Sequence, residues 1–139
     1  MSQSIVIDLN VLLDFLLERS GCAQAEMVLN YCCLKKIKGF VCAHEITTLA
    51  YFLQRELKSR IKIREIIANL LEMLEVIEVN TEILRKALVS PIPDYEDAVI
   101  EASAKTRKVD YIVTRDLNDF KHSAVKALTP EKMLAVLRD

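Results

Sequence analysis

The sequence has 139 residues, of which 52% are hydrophobic and 28% are charged, and its formal net charge is −1 at pH 7. This length predicts a single domain, residues 1–139, with its own hydrophobic core. The near-zero charge excludes a generic basic nucleic-acid binder, so a polyanionic partner would have to be held by local patches or bound metal. With only two glycines and three prolines, the chain does not resemble a disordered or collagen-like protein.

The apolar segments and the cysteines both predict a cytoplasmic protein with no membrane span. Charged residues interrupt every apolar run before ~18 residues are reached. The N-terminus has no basic region, and Asp8 interrupts its apolar stretch, which argues against a signal peptide. The four cysteines lack a Cys-x-x-Cys spacing and predict buried thiols rather than disulfides. Cys42 and His44 have no second ligand pair to complete a structural zinc site.

Short apolar strands alternate with amphipathic helices along the chain. In chain order, the predicted elements are a strand at 5–7, helices at 11–18 and 23–34, a strand at 40–42, a helix at 44–57, a helix capped by Ser59 and running to 74, a strand at 76–79, a helix at 82–89, a helix from 94 to about 106, a strand at 111–113, an extended piece near 125 and a helix opened by Thr129-Pro130. This alternation predicts an α/β fold in which a short parallel β-sheet is sandwiched by helices, a three-layer α/β/α arrangement.

Acidic residues follow two of the predicted strands directly. Asp8 ends the first strand, with Asn10 two residues on, and the segment 114–119 follows the strand at 111–113. Ligands of parallel sheets bind beyond the carboxyl ends of the strands, so both segments are expected to face one crevice. By itself, Asp8 is better explained as the N-cap of the next helix, because Asp is among the best N-cap residues.

A third acidic group opens the helix that follows Pro93. Asp94 fits the N-cap position, and Asp97 fits the acid of a capping box. Against a purely structural role, Asp94, Asp97 and Glu101 share one helical face, where like charges repel unless a cation lies among them.

Two further acidic sites have simple structural explanations when each is considered alone. Asp116 and Asp119 suit a polar turn, although a calcium loop is excluded because its glycine and its glutamate are missing. Glu45 lies in the first turn of its helix, where an acid interacts favourably with the helix dipole. Taken together, however, clustered carboxylates without a nearby histidine favour Mg²⁺ or Mn²⁺, which can promote phosphodiester hydrolysis. The chain has no nucleophile elbow, glycine-rich phosphate loop or plausible Cys/His pair.

With these residues in view, the chain resembles the PIN domain family, in particular small VapC-like toxin ribonucleases. The matching segments are 5–14, 94–98, 111–120 and 128–134, which occur in order over essentially the whole chain. The resemblance implies a Mg²⁺- or Mn²⁺-dependent endoribonuclease that hydrolyses single-stranded RNA. It also implies the toxin of a toxin–antitoxin pair, with an antitoxin protein as a partner and a homodimer as the common assembly.

The resemblance assigns roles to individual residues. Asp8 corresponds to the first metal ligand of the family, Asp97 to the third acid and Asp119 to the fourth. Asp116 stands where relatives carry Asn or Asp, and Thr114 would supply a hydroxyl that steadies the network.

The second acid is where the sequence departs from the family. Counting from the strand at 40–42, the glutamate of VapC-like enzymes falls on Thr48, and Glu45 lies one helical turn earlier on the same face. The leading hypothesis is therefore a catalytic set of Asp8, Glu45, Asp97, Asp116 and Asp119, supported by Asn10, Thr114 and Asp94. The alternative, which the Thr48 position favours, is a catalytically weak PIN module that binds a protein or RNA partner.

Overall fold

The computed structural model describes residues 3–138 of the chain. Its elements are β1 Ser4–Ile7, α1 Leu9–Leu16, α2 Cys22–Cys33, β2 Lys38–Cys42, α3 Ala43–Leu57, α4 Arg60–Met73, β3 Glu75–Ile77, α5 Thr81–Leu88, α6 Tyr95–Thr106, β4 Tyr111–Val113, a 3-10 turn at Leu117–Phe120, β5 Ala127–Leu128 and α7 Pro130–Arg138. None of the helices in this part of the chain is long and apolar enough to cross a membrane.

The five strands form one parallel sheet in the order β3-β2-β1-β4-β5. The central strand β1 pairs with both neighbours, so that Val6 lies between Phe40 of β2 and Ile112 of β4. Ile5, Val6 and Ile7 are fully buried, as expected for a parallel strand that is covered on both faces. The carboxyl ends of all five strands therefore lie along one edge of the sheet.

Helices cover both faces of this sheet. Alternate strand residues such as Ile5 and Val41 pack in a core with α1, α2, α3, α4 and α7. The residues between them, such as Val6 and Ile112, pack on the opposite face with α5 and α6. This is the three-layer α/β/α architecture that the alternation of strands and helices predicted, and the fold prediction is confirmed.

Local signals in the sequence account for several helix ends. The Ser59 hydroxyl accepts a hydrogen bond from the Lys62 N–H at 3.3 Å and caps α4, as predicted. Asn80 caps α5 in the same way, through the Ile83 N–H at 2.9 Å. Gly21, at the start of α2, has a φ of 91°, a left-handed conformation that glycine adopts without steric cost.

Several predicted boundaries are displaced because pairing with a neighbouring strand fixes the ends of a strand. β3 begins and ends earlier than the predicted 76–79, since its residues Glu75–Ile77 pair with Phe40–Cys42 of β2. The predicted extended piece near Val125 lies two residues further on, at Ala127–Leu128, where it pairs with β4. The helix α1 starts at Leu9 rather than 11, because the Asp8 carbonyl already accepts the Val11 N–H at 3.0 Å.

Candidate active site

Asp8 stands at the carboxyl end of the central strand and is held from the neighbouring strand. Its backbone N–H donates to the Val113 carbonyl at 2.9 Å, and its Oδ2 accepts a hydrogen bond from the Thr114 hydroxyl at 3.0 Å. The side chain is only 7% exposed and makes no capping hydrogen bond to α1 among the described residues. Asp8 thus occupies the N-cap position of α1, but its carboxylate does not cap the helix and is bonded to Thr114 instead.

Glu45 reaches this position from α3. It is fully buried, and its Oε2 accepts the Leu9 N–H at 2.7 Å, next to Asp8 in the chain. Its Oε1 is buried and has no hydrogen-bond partner within residues 3–138. A buried carboxylate oxygen without a partner is energetically costly, so it is a position where a positively charged ligand would be stabilising.

Thr48, the position to which the family resemblance assigned the second acid, has a local role instead. Its hydroxyl donates to the His44 carbonyl at 3.2 Å, within the same helix. No acid stands at this position, and the carboxylate that approaches Asp8 from α3 is that of Glu45.

Asp94, and not Asp97, supplies the capping side chain at the start of α6. The Asp94 carboxylate accepts the Asp97 N–H at 3.0 Å, which confirms Asp94 as the N-cap. The reciprocal bond of a capping box, from the Asp94 N–H to the Asp97 carboxylate, is not formed in the described chain. The Asp97 side chain is therefore not used by the cap and remains available to the cluster.

Asp116 and Asp119 lie in the segment after β4, which begins with Thr114. The Thr114 hydroxyl, which donates to Asp8, also accepts the Asp116 N–H at 3.2 Å and so ties this segment to β1. Asp119 lies in the 3-10 turn Leu117–Phe120, anchored by the buried ring of Phe120. Both carboxylates are exposed to solvent, in contrast to Asp8 and Glu45.

The pKa values show that these carboxylates influence one another. Burial and then the charge of Asp8 raise the pKa of Glu45 well above its usual value. Burial is also the main cause of the raised pKa of Asp8, to which Asp119 adds. Burial, followed by the charges of Asp94, Asp8, Asp119 and Glu96, raises the pKa of Asp97 to about 7.

The chemical type of these donors suits a hard divalent cation. Besides burial, the charge of Asp8, directly after β1, raises the pKa values of Glu45 and Asp97, and the charge of Asp119 raises those of Asp8 and Asp97. Carboxylate oxygens of this kind are the ligands that Mg²⁺ and Mn²⁺ prefer. Within residues 3–138, no three acidic, histidine or cysteine side chains are arranged closely enough to enclose one ion. Because like charges repel, a cation would be needed to draw these carboxylates together.

Some residues singled out in the sequence lie elsewhere or have no contact here. Glu101 shares a helical face with Asp97 but accepts hydrogen bonds from Ser90 and from the Ala124 N–H, at 3.0 and 2.7 Å, so its role is structural. Asn10 lies in the first turn of α1, and its side chain makes no hydrogen bond in the described part of the chain.

An ion pair beside the cluster was not anticipated from the sequence. The Arg115 guanidinium donates to Asp14 at 2.7 Å, and Asp14 is buried on α1. This contact joins the segment after β4 to the helix after β1. The only sequence signal was that both residues lie within the motifs that carry the family resemblance.

The sequence matches the family model described as PIN domain over residues 4–118, and the chain therefore belongs to the PIN domain family. A comparison with the curated proteins gives no match.

Solved structures with the same fold include a toxin–antitoxin complex from Klebsiella pneumoniae, which has a TM-score of 0.69 at 16% identity, with 91% of this chain and 97% of that one covered. The VapBC2 complex of Rickettsia felis, bound to a fragment of its promoter DNA, has a TM-score of 0.73 at 13% identity, covering 91% of this chain and 98% of that one. FitAcB of Neisseria gonorrhoeae has a TM-score of 0.68 at 19% identity, with 91% and 98% covered. VapC20 of Mycobacterium tuberculosis, a toxin that cleaves the sarcin-ricin loop, has a TM-score of 0.67 at 14% identity, with 88% and 98% covered. At these identities the similarity is one of fold.

Proposed function

We propose that this PIN domain is a metal-dependent endoribonuclease that hydrolyses phosphodiester bonds in single-stranded RNA. The observation that carries the proposal is the convergence of Asp8, Glu45, Asp97 and Asp119 at the carboxyl edge of the sheet, with a buried Glu45 oxygen that lacks a partner. Acidic side chains that raise one another's pKa values are costly to a fold, and such perturbed groups concentrate at functional sites.

In this proposal Asp8, Asp97 and Asp119 are the metal ligands, and Glu45 supplies the second acid. Thr114 holds the Asp8 carboxylate through its hydroxyl, while the Asp94 cap fixes the first turn of α6, on which Asp97 lies. Asp116 and Asn10, at the carboxyl ends of β4 and β1, would orient ligands or water.

Nucleases with a PIN domain generally depend on divalent metal ions, and Mg²⁺ or Mn²⁺ fits this donor set. When bound, the ion would supply Lewis-acid activation of water and neutralise charge at the phosphate. The carboxylates of the chain would hold the ion, and none of them attacks the phosphorus.

The partners proposed for this chain are inferred from proteins that have the same fold. One of these structures is a toxin–antitoxin complex from Klebsiella pneumoniae and another is the toxin VapC20, which supports an antitoxin protein as partner and a toxin role for this chain. A homodimer is part of the same proposal, as is a single PIN domain spanning residues 1–139. If the chain fails to cleave RNA, it would instead be a PIN module that binds a protein or RNA partner.

The test combines metal binding with RNA cleavage in the native protein and in Asp8→Asn. Mn²⁺ should raise the melting temperature of the native protein by linkage and allow cleavage of a single-stranded RNA, and Asp8→Asn should lose both effects. The matched control is Asp110→Asn, the same chemical change at the opposite edge of the sheet, where Asp110 accepts the Ser4 N–H at 2.8 Å. This control should keep both responses. Equal Mn²⁺ shifts in the native protein and Asp8→Asn would refute the metal site.

A further inference from the structure

A cavity of about 300 Å³ opens beside the acidic cluster, and its wall is not purely acidic. Asp94, Asp97 and Asp119 line this cavity together with Lys121 and His122, and Lys121 also lines the adjoining cavity. Lys121 and His122 directly follow the 3-10 turn that carries Asp119, so their placement depends on the same backbone as that carboxylate.

The cation in this wall is not neutralised by the neighbouring acids. Lys121 is exposed and takes part in none of the ion pairs formed between residues 3 and 138. A lysine next to carboxylates that does not pair with them can interact with an anionic group of a ligand. The imidazole ring of His122 offers a flat face on which a base of single-stranded RNA can stack.

We propose that this cavity is a nucleotide subsite, in which Lys121 binds a phosphate of single-stranded RNA and the His122 ring stacks on the adjoining base. The subsite would hold the nucleotide next to the phosphodiester that faces Asp97 and Asp119. A ligand with both a phosphate and a planar base matches a wall that presents one cation and one aromatic ring. The proposal rests on the proposed ribonuclease function, since it takes RNA as the ligand.

The first experiment measures binding without cleavage. A fluorescently labelled single-stranded RNA is titrated against the full-length chain carrying Asp8→Asn in the presence of chelator, and the affinity is followed by anisotropy at several salt concentrations. Adding Lys121→Ala should reduce the slope of log affinity against log salt by about 0.7, the value for the loss of one phosphate contact on a single strand. Lys126→Ala is the matched control, because this exposed lysine shares the neighbouring cavity with Lys121 but does not line the subsite. Its slope should be unchanged.

The second experiment addresses the ring of His122. Loss of one stacked base should weaken binding at least about fivefold in His122→Ala, while His122→Phe, which keeps an aromatic face, should bind nearly as well as the parent. In the native background with Mn²⁺, Lys121→Ala should raise KM for RNA cleavage and leave kcat close to its native value.

The outcomes separate this proposal from the proposed function. If the native protein cleaves RNA and neither Lys121→Ala nor His122→Ala alters binding or KM, the subsite is wrong and the ribonuclease function stands. If both substitutions weaken binding as expected and the native protein does not cleave, the subsite stands and the ribonuclease function is wrong. Equal slope changes in Lys121→Ala and Lys126→Ala would also overturn the subsite, because they would indicate general charge attraction.

Discussion

Replacing Asp97 with asparagine separates a structural role at the helix start from a role in the acidic cluster. The capping hydrogen bond runs from the Asp97 N–H to the Asp94 carboxylate, so the substitution leaves it intact. Asparagine is nearly the same size as aspartate, and packing should hardly change. In the absence of metal, Asp97→Asn should therefore be at least as stable as the native protein.

The magnitude follows from the pKa of Asp97. Burial, followed by the charges of Asp94, Asp8, Asp119 and Glu96, raises this pKa from 3.8 to about 7. At about 1.4 kcal/mol per unit of pKa, this shift sets an upper bound of about 4 kcal/mol on the stability that Asp97→Asn can gain. Solvent reaches the partly exposed carboxylate and screens these charges, so a gain of about 1–2 kcal/mol is expected.

The pH dependence has a defined direction. A carboxyl group with a higher pKa in the folded state binds its proton more tightly there than in the unfolded chain. The free energy of unfolding of the native protein should thus fall as the pH rises from about 4 to about 7, and Asp97→Asn should lack this decrease. The difference in the free energy of unfolding between Asp97→Asn and the native protein should be close to zero near pH 4 and reach its full value above pH 7.

The assay is urea denaturation in chelator at a series of pH values, repeated with Mn²⁺ and accompanied by RNA cleavage. Asn80→Ala is the control for a lost cap, and it should cost about 1 kcal/mol at every pH. With Mn²⁺, Asp97→Asn should lose both the metal stabilisation and the cleavage. An Asp97→Asn protein that is destabilised in chelator at all pH values, yet still cleaves RNA, would refute the reasoning.

Two further predictions concern other contacts of the cluster. Glu45→Gln should abolish most RNA cleavage, whereas Thr48→Ala should keep most of it, because the Thr48 hydroxyl bonds only within its own helix. The measurement is the rate of RNA cleavage with Mn²⁺. A fully active Glu45→Gln protein would show that Glu45 does not belong to the site. Arg115→Ala should lower the free energy of unfolding by about 1.5–3 kcal/mol, since it leaves the buried Asp14 carboxylate without its charged partner. As a control, Arg64→Ala, on an exposed helix face, should change the free energy of unfolding by no more than about 0.5 kcal/mol in urea titrations of both variants. Equal losses in the two variants would contradict the role of the Asp14 contact.

Much of the architecture was determined by local patterns in the sequence. The β-branched run at 5–7 and the apolar stripe of α4 each define an element through their own periodicity, and Ser59 and Asp94 cap helices as predicted. The alternation of such elements was enough to predict a parallel sheet between helices. The family resemblance rested on motifs at the ends of these same strands, and the PIN match over residues 4–118 agrees with it.

The tertiary structure decided what depends on partners distant in sequence. The ends of β3 and β5 are fixed by pairing with β2 and β4, which no local pattern encodes. The sequence alone favoured a helix cap for Asp8, whereas the structure places the Thr114 hydroxyl, 106 residues away, against its carboxylate. Glu45 was compatible with a helix-dipole role until its carboxylate met the Leu9 N–H, 36 residues away, in a fully buried position. Periodicity and capping act over a few neighbouring residues, whereas the environment of a carboxylate is set by whichever strands and helices the fold packs around it.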